Sequence, residues 1–411
     1  MAMSQIAVST IRNVTIIGGG AAGLTTAIFA KQTYPHLKVT ILERKREAGK
    51  KILMSGGTRC NVLPKKVDIR HDYFSEDMNI AKKIMSSWNV DGCYKWLSDD
   101  IGLKLELEEE TNKYFPHSNS ARDVRDKLRD KCINLGVDIV YNRRVDVVHK
   151  VGGADDNGDK PSTFRIKGIN EQNSDEPFNH LTDAIVVSSG GLSFPAVGTD
   201  GSGYRIAKSM GHSINPTYAA LTPLKGMPIG GDPLAGLSMN LALRVSGVHR
   251  EPIVANRSGF LFTHKGFSGP SILDLSHYCV KALESNGSIP LPSLSARLDG
   301  ADKTQWTERL ANANSQYGTQ NQLLSNRLGV FIPHNFVDRV MTHLNQKDKK
   351  MNELSSSERK VLVEFLSNMP VEYTGHDGYK KAEVTGGGVP LTQINHQNLE
   401  KLEVLISIGH G

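Results

Sequence analysis

Cysteine is scarce. Cys60, Cys93, Cys132 and Cys279 are the only four, and no two form a C-x-x-C pair. That excludes a zinc ribbon and a thioredoxin-type motif, and the thiols fit a reducing compartment. Long apolar runs are missing too, and none approaches the ~18 residues that a membrane span needs. The chain has no block of one charge sign. Its net charge of +6 is spread along 411 residues, with no Lys/Arg stripe interleaved with aromatics. No nucleic-acid partner is therefore expected, and the mild positive balance suits anionic cofactors. Repeats and low-complexity tracts are absent, and the spacing of His, Cys, Asp and Glu points to no metal. The segment Met1 to Asn13 has no acid and one Arg. It is too short and too weakly apolar for a signal peptide. A cytoplasmic location is expected, or an organelle such as the chloroplast if a longer leader exists.

With 38% hydrophobic and 22% charged residues, the chain reads as globular and large enough for two or three domains. Its strongest signal lies near the start. Val14 to Ile17 is a β-branched apolar run that predicts a buried strand. Gly18, Gly20 and Gly23 follow at G-x-G-x-x-G spacing, with Ala21 and Ala22 between them, and lead into a predicted helix from Leu24 to Thr33. A second strand, Val39 to Leu42, ends at Glu43, twenty residues past Gly23. This is the dinucleotide-binding fingerprint in strand–turn–helix–strand context. Gly18 permits the tight turn, Gly20 lets backbone approach a pyrophosphate, and Gly23 lets helix and strand pack closely. The helix start offers N–H groups and a positive dipole end. Glu43 accepts from ribose hydroxyls and disfavours a 2′-phosphate, so the ligand expected here is FAD or NAD, not NADP.

Lys50 to Asn61 makes a polar loop around Gly56 and Gly57, suited to a second phosphate or sugar contact. Residues 77 to 97 and Ala121 to Leu135 predict helices, the latter on Val124, Leu128 and Ile133. Val137 to Val140, Val145 to His149, Thr163 to Lys167 and Ala184 to Val187 predict strands. Gly152 to Ser162 and Asn170 to Asn179 read as polar turns. From Pro216 to about Pro370, short alternating runs such as Leu241 to Val245 and Phe260 to Phe262 suggest an antiparallel β-domain. Helices are predicted there over Thr304 to Ala311 and Ser355 to Leu366. Tyr379 to Leu391 returns to the Gly-rich style of the first part. The expected division is 1–215, an insert at 216–370, and a return at 371–411.

Five blocks together resemble the BaiN-like, or aminoacetone-oxidase-like, FAD flavoproteins. They are the Gly18–Gly23 loop with Glu43; Lys51 to Asn61; Gly190 to Pro195 with Gly198 and Gly201 to Tyr204; Leu261 to His264 with Gly266, Ser268, Gly269 and Pro270; and Ala382 to Thr385 with Gly387, Gly388 and Val389. The resemblance runs from Val14 to about Glu400. It implies an α/β fold: a glutathione-reductase-type, Rossmann-like FAD domain with an inserted β-barrel plus helical domain. It implies that Gly18, Gly20, Ala21, Ala22 and Gly23 hold the FAD pyrophosphate and that Glu43, with Arg44 beside it, meets the adenosine ribose. Lys51, Ser55, Gly56, Gly57, Arg59 and Asn61 would lie along the pyrophosphate, ribityl chain and flavin edge, and the Val145 backbone would meet the adenine. Ser188, Ser189 and Gly190 occupy the place of the usual Ala-Thr-Gly turn, and Ser189, Gly190 and Gly191 would border the cofactor. Leu402 to Gly411 depart from the pattern. The chain therefore looks truncated, with one wall of the flavin site and a packing partner of the sheet expected to be missing.

The activity implied is FAD-dependent oxidoreduction of a small molecule, with the flavin reduced by NAD(P)H as a transient donor or by an organic substrate. A non-catalytic or inactive FAD-binding isoform is the alternative, and an NAD-dependent dehydrogenase stays open. No second cysteine follows Cys60, so a redox disulfide is not expected and Cys60 reads as a packing residue. His264 and, more weakly, His117 are acid/base candidates. Arg59 is a candidate for offsetting charge on a reduced flavin or phosphate. No catalytic residue, substrate or oligomeric state is assigned.

Overall fold

The computed structural model describes residues 11–152, 163–173, 176–231, 234–311, 318–319, 321–347 and 349–395, and the backbone of 406–408. Expectations placed on residues 1–10, 153–162 and 396–405 lie outside them. The chain forms two units: Met1–Thr217 with Gly387–Gly411, and Tyr218–Gly386. Residues 371–386, expected with the return segment, thus belong to the second unit.

The first unit is built on a parallel sheet. Strand β1 (Asn13–Ile17) leads into helix α1 (Ala21–Thr33) and back to β2 (Lys38–Leu42). A small antiparallel sheet follows, with β3 (Leu63–Pro64), β4 (Leu105–Glu108) and β5 (Lys113–Pro116) in the order β3-β5-β4. Between β3 and β4 lie α2 (Met78–Ser87) and α3 (Val90–Lys95). The single helix expected over 77–97 breaks at Trp88-Asn89, because the Asn89 side chain caps α3 by accepting from the Gly92 N–H at 2.8 Å. Helix α4 (Ala121–Asn134) precedes β6 (Asp138–Val140). Strands β7 (Arg143–Gly152), β8 (Thr163–Asn170) and β9 (Glu176–Thr182) form a meander, and β10 (Ala184–Val187) returns to the main sheet. Strand β9 corrects the turn expected over Asn170 to Asn179. Its segment is polar because it is an outer strand of the meander, paired to β8 alone.

The main sheet has the order β11-β10-β1-β2-β6, where β11 is Ile406–Ile408. Every pairing in it is parallel. The sheet that was expected to lose a partner at the C-terminal end thus has β11 beside β10, with Val187 opposite Ile408.

Period-2 alternation divides the apolar residues between two faces. Ile16, Val39, Ile41 and Ala184 pack with α1 and with Val124, Leu128 and Cys132 of α4. Ile17, Leu42, Ile185 and Val187 pack with Val145, Val148, Phe164 and Ile166 of the meander and with Ile206. Both faces are covered, which is why these strands read as continuous apolar runs. In α4 the third buried point is Cys132, not the expected Ile133, which is 54% exposed. Positions 124, 128 and 132 stand four apart, on one helical stripe.

The second unit centres on an eight-stranded antiparallel sheet that includes Ser238–Ser246, Gly259–Thr263, Gly266–Ser268 and Ser293–Leu298. Helices Pro270–Glu284, Lys303–Arg309, His334–His343 and Ser356–Ser367 accompany it. Leu241, Leu243, Phe260, Phe262 and Phe267 from the sheet share one core with Trp306, Phe336 and Leu362 from the helices. No helix among the described residues is long and apolar enough to cross a membrane.

Candidate functional site

The register of the parallel sheet aligns three strand ends. Ile17 stands opposite Leu42 on one side and Val187 on the other. The residues that follow, Gly18, Glu43 and Ser188, therefore emerge level at the carboxyl edge. Gly18 N–H donates to Leu42 O and Ser188 N–H to Ile17 O, each at 2.9 Å. The chain leaves β1 toward β2 on one side and later reaches β10 on the other. That reversal is where open α/β sheets hold ligands.

The glycine loop is shaped by close approach. Gly18 has φ 106°, and a β-carbon there would stand 2.6 Å from Ser188 O. One on Gly23 would stand 2.0 Å from Gly18 O. Gly20 differs: its φ is −74° and a β-carbon would meet nothing within 4 Å. The residue that starts α1 thus borders open space, and no side chain caps that helix start. Ala21 and Ala22 form its outward first turn.

Glu43 lies beside this loop. Its Oε2 accepts from Gly19 N–H and its Oε1 from Lys45 N–H, both at 2.7 Å. Burial pushes its carboxyl above the usual range, while those two N–H groups and the Lys45 and Lys50 charges pull the other way. Each oxygen keeps a second lone pair for a ribose hydroxyl. Arg143 N–H donates to Glu43 O at 2.9 Å. That bond brings in the start of β7, where Val145 is buried next to a bulge. Arg44, expected to face the ligand, is engaged by Glu171 at 3.0 Å and Asp200 at 2.9 Å.

On the other side, Ser188 Oγ donates to Gly18 O at 2.9 Å. Ser189 Oγ is buried with no hydrogen-bond partner. Gly190 is left-handed at φ 75°, and Gly191 O accepts from Gly201 N–H at 3.2 Å. Lys51 Nζ donates to Ser193 Oγ at 2.8 Å, and Gly49 N–H donates to Gly19 O at 2.8 Å. These contacts join the glycine loop, the Lys51–Asn61 loop and the Ser188–Asp200 segment.

Arg125 went unnoticed in the sequence. It is 3% exposed and donates to Glu47 at 2.8 Å and to Ala48 O at 3.3 Å. It thereby props the turn that delivers the Gly49 N–H. An Arg one residue past an apolar helix position carries no sequence signal of this.

Three further candidates are Cys60, His117 and His264. Cys60 is buried, and burial pushes its thiol up. His117 is exposed and pairs with Glu106. His264 is exposed at the hairpin turn between Gly259–Thr263 and Gly266–Ser268 of the second unit. No group of three or more metal-ligating side chains occurs among the described residues.

An open glycine, an uncapped helix start and an orphaned buried hydroxyl fit a pyrophosphate-bearing ligand. Comparison with known proteins agrees. The profile described as HI0933-like protein Rossmann domain matches residues 12–409. The chain belongs to the HI0933-like family. This is the BaiN-like FAD-binding family of oxidoreductases that the motifs resemble, and its match extends past Glu400, where the resemblance was expected to end. Among relatives of this HI0933-like chain, the ribosomal RNA dihydrouridine synthase of Escherichia coli (strain K12) is 28% identical over 394 residues. That match covers 95% of this chain and 88% of the relative. The 3-dehydro-bile acid delta(4,6)-reductase of Clostridium scindens is 25% identical over 398 residues, covering 95% and 90%. Among solved structures, E. coli quinol fumarate reductase FrdA is a looser likeness. It has a TM-score of 0.45 at 13% identity, covering 97% of this chain and 64% of that one.

Proposed function

We infer that this chain is an FAD-dependent reductase of a carbon–carbon double bond conjugated to a carbonyl. The observation that carries the cofactor is the open space at Gly20, before an uncapped helix and beside the orphaned Ser189 hydroxyl. The pyrophosphate lies there, on Gly18, Gly20, Ala21, Ala22 and Gly23. Glu43 takes the adenosine ribose and the Val145 backbone the adenine. Ser55, Gly56, Gly57, Asn61, Ser189, Gly190 and Gly191 border the remainder. FAD supplies hydride chemistry when bound, and the protein positions it and excludes side reactions.

The substrate class comes from the relatives' names. Forming dihydrouridine and saturating a delta(4,6) bond of a 3-dehydro-bile acid are both reductions of an alkene conjugated to a carbonyl. NAD(P)H is the donor in this reading. RNA enters it as a substrate class, because the E. coli relative is named for ribosomal RNA. The expectation against nucleic acid rests on the spread of the +6 charge and the lack of a Lys/Arg stripe with aromatics.

The test is a visible spectrum of the purified chain with added FAD, anaerobic reduction by NADPH or NADH, then exposure to a conjugated enone and to a uridine-containing RNA. Stoichiometric flavin, bleached by the nicotinamide and reoxidised by either substrate, supports the reading. Absence of flavin binding overturns the cofactor. Flavin reoxidised by O₂ alone overturns the substrate class.

A further inference from the structure

The loop between Ser55 and Asn61 holds backbone that side chains resist. Gly56 (φ 56°), Gly57 (65°), Thr58 (73°) and Cys60 (64°) are all left-handed. Glycine adopts this freely, but each L-residue there costs about 1–2 kcal/mol. Thr58 is β-branched, which makes it the harder case. Within the loop, Cys60 N–H donates to Ser55 O at 3.0 Å and Arg59 N–H to Gly56 O at 3.3 Å. Two such bonds do not by themselves hold four left-handed residues.

The small sheet β3-β5-β4 supplies the rest. The chain leaving the loop joins it directly: Val62 N–H donates to Tyr114 O at 3.0 Å, and Leu63 pairs with Tyr114. Glu106 opposes Phe115 and Glu108 opposes Lys113, so Glu106, Glu108 and Phe115 share one face. Phe115 is buried beneath the loop, and a β-carbon on Gly56 would stand 3.2 Å from its ring. The Arg59 guanidinium lies over that ring, 4.1 Å from its centroid. Its Nη2 donates to Glu108 at 2.8 Å and its Nε to Asn119 at 2.9 Å. Glu108 also accepts from Thr111 Oγ1 at 2.8 Å. Stacked on one face and bonded along its edge, the planar fork is fixed in all three directions.

We propose that Arg59 is a positioning residue: with Phe115, Glu108 and Asn119 it locks the left-handed backbone of Gly56, Gly57, Thr58 and Cys60 for the ligand, and it is not the cation that neutralises that ligand. The assignment rests on the FAD reading above. The two roles predict opposite signs. If Arg59 acts through charge, then Glu108→Gln removes a nearby anion, so FAD binds more tightly and the flavin potential rises. Arg59→Lys then preserves both. If Arg59 is a lock, Glu108→Gln loosens the loop and weakens FAD despite the more favourable charge. Arg59→Lys fails as well, because an ammonium cannot stack and bond as a planar fork.

The experiment uses the full chain and three readouts: amide hydrogen exchange over residues 55–61 without FAD, the FAD dissociation constant, and the midpoint potential of bound flavin. Glu108→Gln, Arg59→Lys and Phe115→Leu should each speed loop exchange and weaken FAD about tenfold, with the potential unchanged. Phe115→Tyr, which keeps the ring, should restore both. Glu108 is partly exposed, so its loss leaves the fold intact. Tighter FAD in Glu108→Gln, or wild-type exchange and affinity in Arg59→Lys, overturns the lock. If the wild type binds no FAD, the cofactor reading fails, and loop exchange in the variants still decides whether Arg59 is a lock.

Discussion

The carbonyl oxygen of Gly18 stands 2.0 Å from the point that a β-carbon on Gly23 would occupy. The glycine loop and the first turn of α1 are thus in contact as backbone on backbone, and no side chain can swing aside. Gly23→Ala should cost about 3 kcal/mol of stability, at the upper end of overpacking, and abolish FAD binding. Gly20→Ala meets open space and should cost less than about 1 kcal/mol, yet weaken FAD at least about tenfold. Thermal melts and flavin titrations of both variants check this. Equal stability of the pair would contradict the steric argument.

Ser189 carries a buried hydroxyl with no partner. Removing it should change the ligand-free stability by less than about 0.5 kcal/mol, because no hydrogen bond is lost. FAD affinity should fall several-fold if that hydroxyl meets the cofactor. Ser189→Ala with unaltered FAD affinity would assign the orphan to something else.

Thr58 holds φ at 73°, where asparagine is far better tolerated. Thr58→Asn should raise ligand-free stability by about 1 kcal/mol, visible as a melting point a few degrees higher. A lower melting point would mean that the threonine side chain makes a contact outweighing the strain.

Glu358 closes a capping box in the second unit. Ser355 N–H donates to it at 3.0 Å, Glu358 N–H donates to Ser355 Oγ at 3.2 Å, and Lys349 pairs with it. Lys349 first, then the Ser355 bonds, hold its carboxyl at about 2. A depressed carboxylate stabilises the fold fully above its ordinary value of 4.5 and loses that contribution as pH falls through about 2. Glu358→Gln should be less stable than wild type at pH 7, with the gap narrowing steadily below pH 4.5. Urea midpoints across that range decide, and a gap that stays constant counts against the assignment.

What could be read from the sequence was local or periodic. Strands β1, β2 and β10 are apolar on both faces, so burial on both sides marks them without knowledge of their neighbours. The steric demands at Gly18, Gly20 and Gly23, and the place of Glu43, follow from one turn of chain. Polar β9 reads as a turn in sequence because it lies at the edge of a meander and shows little apolar pattern. In α4 the sequence points to Ile133, but Cys132 takes the buried place, because a thiol buries as readily as hydrocarbon. The ties of Arg59 to Glu108 and of Arg125 to Glu47 span 49 and 78 residues. Nothing in either neighbourhood announces the partner, since only the fold brings them together.

Strand β11 pairs with β10 across the whole intervening second unit. During synthesis, β10 therefore emerges long before its outer neighbour, and residues 218–386 are complete first. Until residue 408 is made, the growing chain carries an unpaired parallel edge, a template for another nascent copy. By then the second unit is complete in sequence, whereas the parallel sheet still lacks its outer strand. Refolding of the first unit should accordingly have a late phase set by the return of its last strand, sensitive to protein concentration in a way that folding of the second unit is not.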